Sequence, residues 1–160
     1  MDRLPAGRPQ DVTELISFLN SVRHAKVEQE RLQRQIAELD ARCTKITASL
    51  SAVPGGGNAD AQRQWAALAD KRALLTDLLE REMHAITEVE TWIKELRRER
   101  SREVLLYRYV NLMTVPEITA AFAAAGVPYS QRQIERFLTD ALADAYEKWR
   151  GEHHEQSRDP

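Results

Sequence analysis

The stretch "SQRQIER", residues 130–136, crowds two arginines and two glutamines into the first two turns of an amphipathic pattern. If Ile134, Phe137 and Leu138 face a core, helical geometry turns Gln131, Arg132, Glu135 and Arg136 outward. A guanidinium matches the paired acceptors of guanine, and a glutamine amide matches the donor–acceptor pair of adenine. Ser130 is placed to cap the helix, with Gln133 answering three residues later. Its hydroxyl and the free N–H groups of the helix start suit a phosphate oxygen. The competing reading is a solvated face such as any surface helix carries.

A second basic group lies upstream. Arg97, Arg98, Arg100, Arg102 and Arg108 face only Glu99 and Glu103 in the same stretch. They form a candidate phosphate clamp. Alternatively, arginines here complement the dipole at a helix C-terminus, and Arg108 pairs internally with Glu117 or Glu103. The formal net charge of -2 argues against broad non-specific affinity for nucleic acid. Over residues 101–150 six basic side chains meet six acidic ones. Tight binding therefore calls for a dimer or a co-binding partner.

Catalytic chemistry finds little support. Cys43 falls on an apolar helical seam, where burial is expected rather than nucleophilicity. His24, His84, His153 and His154 show no ligand spacing with Cys or acids. The expectation is a non-enzyme without metal or cofactor. The single cysteine fits a reducing cytoplasm. The opening "MDRLPAGRPQ" lacks the apolar stretch of a secretion signal. No apolar run reaches the roughly 18 residues of a membrane helix.

The elements that position these residues read as all-α. Residues 1–10, with Pro5, Gly7 and Pro9, form an expected disordered arm, and Asp11 an expected N-cap. A heptad seam follows: Leu15, Phe18, Val22, Ala25, Gln29, Leu32, Ile36, Leu39, Cys43, Ile46, Leu50. Gln29 either fixes register or marks a solvated break. Pro54 and Gly55–Gly57 end this helix. Without a preceding strand or a following Lys-Ser/Thr, those glycines are no phosphate loop. A second helix is expected from about residue 61 to 99, with the seam Trp65, Leu68, Arg72, Leu75, Leu79, Glu82, Ile86, Val89, Ile93, Leu96. The fold expected is thus a long antiparallel coiled-coil hairpin over residues 11–100, turning at 51–60. Leu74, Leu78, Ala85 and Trp92 form a second apolar stripe, best covered by a second copy, and otherwise by the C-terminal domain folding back.

Residues 101–150 hold three shorter helical patterns, the first over about 101–112. Thr114, Pro116 and Glu117 open the second, and Ser130 and Gln133 the third. A flexible tail, 151–160, completes the chain. This order is the layout of a helix-turn-helix.

"REVLLYRYVNLMTVPEITAAF" resembles the opening of a sigma-factor region 4 domain, and "YSQRQIERFLTDALADAYEKW" is similar to its recognition helix and continuation. With "CTKITASLSAVPGGG" ahead of that tail, residues 25 to 149 resemble a family of small phage and prophage proteins. These are akin to late-gene transcription regulators of the ArpU and RinA type. The resemblance implies binding to double-stranded DNA and transcriptional control, with the third helix in the major groove. The matching positions are Ser130, Gln131, Arg132, Gln133 and Arg136. Arg98, Arg100 and Arg102 complete the expected contact set. The chain departs from the pattern in "AAFAAAGVPYS", a turn longer by about two residues. Two other readings are weighed beside it: a small-terminase-like DNA-packaging subunit in a ring, and a helical protein–protein adaptor that binds no DNA.

Overall fold

The computed structural model describes residues 9–51 and 59–155, and these are mainly helical, with no strand among them. The helices are α1 (Pro9–Ser51), α2 (Ala59–Lys94), α3 (Glu99–Leu105), α4 (Val115–Ala124) and α5 (Gln131–Glu155). A π-helical turn, Leu106–Val110, continues α3. Residues 1–8, 52–58 and 156–160 lie outside the described residues, and with them the expected disordered arm, most of the expected turn at 51–60 and the end of the expected tail. No described helix is long and apolar enough to cross a membrane.

Several boundaries differ from expectation. Asp11 lies inside the first turn of α1 rather than at its cap. The second helix stops at Lys94 instead of running to 99. The last helix extends past 150 to Glu155, into the expected tail. The chain also packs as two units that do not break at residue 100: Met1–His24 with Ala85–Pro160, and Ala25–His84.

The first unit has one core. Val12, Leu15, Leu19 and Val22 of α1 join Val89, Ile93 and Leu96 of α2. Val104, Leu105, Ile118, Ile134, Leu138 and Leu142 complete it from α3, α4 and α5. Each fully buried leucine or isoleucine here contributes about 1.5–3 kcal/mol. Trp92 is covered within this unit: its ring meets Phe18 at 5.5 Å and Trp149 at 5.9 Å. At this position α5 does what a second copy was expected to do.

The end of α2 explains the packing. "KELRRERS" contains no glycine or proline, so propensity alone would continue the helix. Leu96 is nevertheless buried in the core, and Arg98 adopts an extended backbone. The carbonyls that lose helical partners find side-chain donors. Lys148 Nζ donates to Trp92 O at 3.0 Å, and Arg102 Nη1 to Leu96 O at 2.6 Å and Arg97 O at 3.1 Å. The new helix then starts at Glu99. Its N-cap, Arg98, makes no capping bond, and Ser101 in the first turn donates to Asp144 Oδ2 at 2.5 Å.

The π turn follows from the apolar pattern of "VLLYRYV". In unbroken α-helix Arg108 would fall one turn after Val104, on the core face. The wider turn, closed by Asn111 N–H to Leu106 O at 2.9 Å, instead places Tyr109 and Val110 behind Val104 and Leu105. Arg108 is left at the edge, donating to Met113 O at 3.1 Å.

The second unit pairs residues of α1 and α2. Leu32, Leu39 and Leu75 are buried, with Ile36, Leu68, Leu78 and Leu79 packed against them. Asp40 pairs with Arg72 at 2.6 Å, and Ile46 shares a groove with Leu68, so the two helices run in opposite directions. The seam positions are at least partly buried apart from Trp65 and Arg72, which are exposed, and the Leu50 side chain lies outside the described residues. Leu74, on the second stripe, stays 60% exposed.

A chain beginning at residue 101 lacks the α1 and α2 side chains of the first core. It is expected to show no cooperative thermal transition by far-UV circular dichroism, whereas the full chain melts cooperatively. A separate sharp melt of residues 101–160 would contradict this account.

Candidate nucleic-acid interface

The approach to α5 is built from stacked end-caps. At α4, Thr114 and Glu117 form a reciprocal capping box, with Pro116 in the first turn. Glu117 accepts from Thr114 N–H at 2.7 Å and from its hydroxyl at 3.0 Å. These bonds, the backbone one foremost, hold the Glu117 carboxyl below its ordinary pKa. Before α4, Leu112 takes φ 56°, a left-handed conformation that costs a β-carbon-bearing residue about 1–2 kcal/mol.

The far end of α4 closes with two bonds. Val127 N–H donates to Phe122 O at 2.9 Å and Gly126 N–H to Ala123 O at 3.0 Å. Gly126 sits at φ 86°. This is a Schellman cap, and it needs a residue that enters the left-handed region without strain. Pro128 prevents any further helix. Ser130 then opens α5 with a second capping box. Gln133 N–H donates to Ser130 Oγ at 3.2 Å, and Ser130 N–H donates to Gln133 Oε1 at 2.9 Å. The residues that lengthen the turn are therefore the cap of one helix followed directly by the cap of the next.

An aromatic ladder fixes this turn. Tyr107–Phe122, Phe122–Tyr129 and Tyr129–Phe137 meet edge-to-face at 5.7, 5.3 and 4.9 Å. Arg100 closes the ladder from α3. Its Nη2 donates to the Tyr129 hydroxyl at 2.9 Å, and its guanidinium carbon lies 4.4 Å from the Phe137 ring centre.

The expected contact residues divide accordingly. Gln131, Arg132, Gln133, Glu135 and Arg136 are all exposed on α5, with Ile134 and Leu138 buried behind them. The Gln133 amide oxygen and the Ser130 hydroxyl are both used in the cap. Arg132 and Arg136 make no ion pair or side-chain hydrogen bond among the described residues, and no acidic residue occupies the first turn of α5. Arg132 thus adds positive charge at the positive end of the helix dipole.

The upstream arginines do not stand free as a set. Arg102 holds the carbonyls that end α2, and Arg108 holds Met113 O. Arg100 belongs to the aromatic ladder. Arg98, 71% exposed, lies 3.6 Å from Asp144. Sequence reading missed the Arg100–Tyr129, Ser101–Asp144 and Lys148–Trp92 links. Their partners are far apart in sequence, and no local pattern announces them.

No family model matches the chain, and no curated protein or solved structure matches it.

Two outcomes test this geometry. Arg100→Ala should destabilise the fold by about 1–2 kcal/mol in urea unfolding, through the lost cation–π and hydroxyl contacts. Arg100→Lys should recover only part, because an ammonium cannot stack as the planar guanidinium does. Because folding lowers the Glu117 pKa, its stabilisation is present above the ordinary glutamate range and is lost as pH falls through the lowered value. The melting temperature of the wild type should therefore exceed that of Glu117→Gln at neutral pH. The two should converge in acid.

Proposed function

We propose that the chain is a sequence-specific DNA-binding regulator of transcription, of the phage type that its sequence resembles. In this reading α4, the capped turn and α5 act as a helix-turn-helix, and the start of α5 enters the major groove. The observation that carries it is the outward face of α5. Arg132 and Arg136 lie one turn apart, exposed and without anionic partners among the described residues, at a helix start with no acid in its first turn.

Gln131, Arg132 and Arg136 contact base edges, and Arg98 a backbone phosphate. Ser130 and Gln133 serve first to hold the helix start in register. Arg100 and Arg102 act by positioning: Arg100 fixes the turn, and Arg102 fixes the end of α2 against α3.

The charge balance of the C-terminal region keeps non-specific affinity low, so one copy offers a small electrostatic footprint. A homodimer supplies a second reading helix, with α1 and α2 as a coiled-coil hairpin that sets the spacing. Contact with RNA polymerase is a further route to tight binding. The setting proposed is the cytoplasm of a host bacterial cell.

Arg132→Ala combined with Arg136→Ala should abolish specific binding in a fluorescence-anisotropy titration against the selected operator. Each lost bidentate contact costs about 1–3 kcal/mol. Helicity and light-scattering mass should not change. Operator affinity equal to that of the wild type would remove α5 as the reading helix.

A further inference from the structure

Away from α5, the Ala25–His84 unit carries a groove of about 530 Å³ between α1 and α2. Its floor is Ile46, Ala67 and Leu68, and its rim is Arg42, Lys45 and Lys71. The three cations are exposed. None makes an ion pair or side-chain hydrogen bond among the described residues. The nearby Asp40 is already engaged by Arg72 at 2.6 Å. On α2 the steps from Ala67 to Lys71, Leu74 and Leu78 are four, three and four residues. Leu74 therefore lies on the same helical stripe as Ala67 and Lys71, just beyond the groove, while Leu78 packs against the buried Leu32, Leu39 and Leu75. Leu74 on that stripe is 60% exposed.

We infer that this groove docks an acidic amphipathic helix of a partner protein. An apolar floor between two antiparallel helices accepts the apolar face of a third helix, read as anchors at i, i+3, i+4 and i+7. From Ala67 to Leu74 the stripe rises about 10 Å, or two turns of such a helix. The unpaired cations on the rim select glutamates or aspartates flanking those anchors. A second copy seated face to face would set Arg42, Lys45 and Lys71 against the same cations. DNA phosphates would satisfy the rim but leave Ile46, Leu68 and Leu74 wet. A lipid surface engages a protruding apolar face rather than a groove.

The test uses the full chain and a labelled synthetic 18-residue helical peptide with leucines at i, i+3, i+4 and i+7 and glutamates on both flanks. Fluorescence anisotropy should show saturable binding, about tenfold or more tighter than for the same peptide with lysine replacing glutamate. The combination Arg42→Glu, Lys45→Glu and Lys71→Glu should reverse that preference. Leu74→Ser, an exposed change that leaves the charge alone, should weaken binding of the glutamate peptide. Arg132→Ala with Arg136→Ala, on α5, should leave binding of the glutamate peptide unchanged, which separates this inference from the proposed function. The inference is overturned if neither peptide binds or if both bind equally. It is also overturned if the charge reversal instead abolishes self-association, binding to phosphatidylglycerol vesicles, or binding to random duplex DNA.

Discussion

The carbonyl groups at the end of α2 are the constraint on which the rest of the first unit depends. Ending a helix inside "KELRRERS" strips carbonyls of their partners at a place where Leu96 is buried. The chain solves this with two cations from elsewhere, Lys148 on α5 and Arg102 on α3. Lys148 is only 19% exposed and also reaches Glu95 at 2.7 Å and the Trp92 ring at 4.4 Å. A cation held this way offsets the partial negative charge of the helix end. It also locates α5 against α2 before any apolar packing is counted. Trp149, one residue on, then meets Phe18 at 5.1 Å.

The domain organisation follows from this. The opening turns of α1 and the closing turns of α2 share one buried core with α3, α4 and α5. The coupling reaches the polar groups as well. Asp144 accepts from the buried Ser101 while Arg98 approaches its other oxygen. Thus α5 is held at Asp144 and Lys148 by bonds to the break between α2 and α3. Its first turns remain free to present side chains.

What could be read from the sequence was local and periodic. The heptad seam placed Leu15, Val22, Leu32 and Leu39 correctly because a 3.5-residue repeat needs no knowledge of the partner. Both capping boxes were legible for the same reason, since their partners lie three residues apart. The early end of α2 was not legible, because every residue from Lys94 to Ser101 tolerates helix and the stop is imposed by tertiary donors. The π turn was hidden in plain view. Val104–Tyr109 and Leu105–Val110 are five apart, a spacing that an α-helical reading passes over. In the candidate site, Arg132 and Arg136 could be assigned to the outward face from periodicity alone. The arginines at 98–102 could not be sorted, since which of them turns inward depends on carbonyls and rings brought in by the fold.

The longer turn before α5 loses its difficulty once its bonds are counted. Gly126 and Val127 donate to the carbonyls of Ala123 and Phe122 of α4, and the Ser130–Gln133 box takes up the N–H groups of those two residues at the start of α5. Only Pro128 and Tyr129 lie between. Proline has no N–H to satisfy, and the Tyr129 ring meets both Phe122 and Phe137 edge-to-face. A turn so constrained is a rigid spacer. The start of α5 is therefore fixed by Arg100 and the rings rather than by the length of the connection. That rigidity bears on Arg132, whose charge is unfavourable at a helix N-terminus by roughly 0.3–1 kcal/mol. A stabilised, uncompensated positive helix start is a local cost to folding, and an anion seated there would offset it.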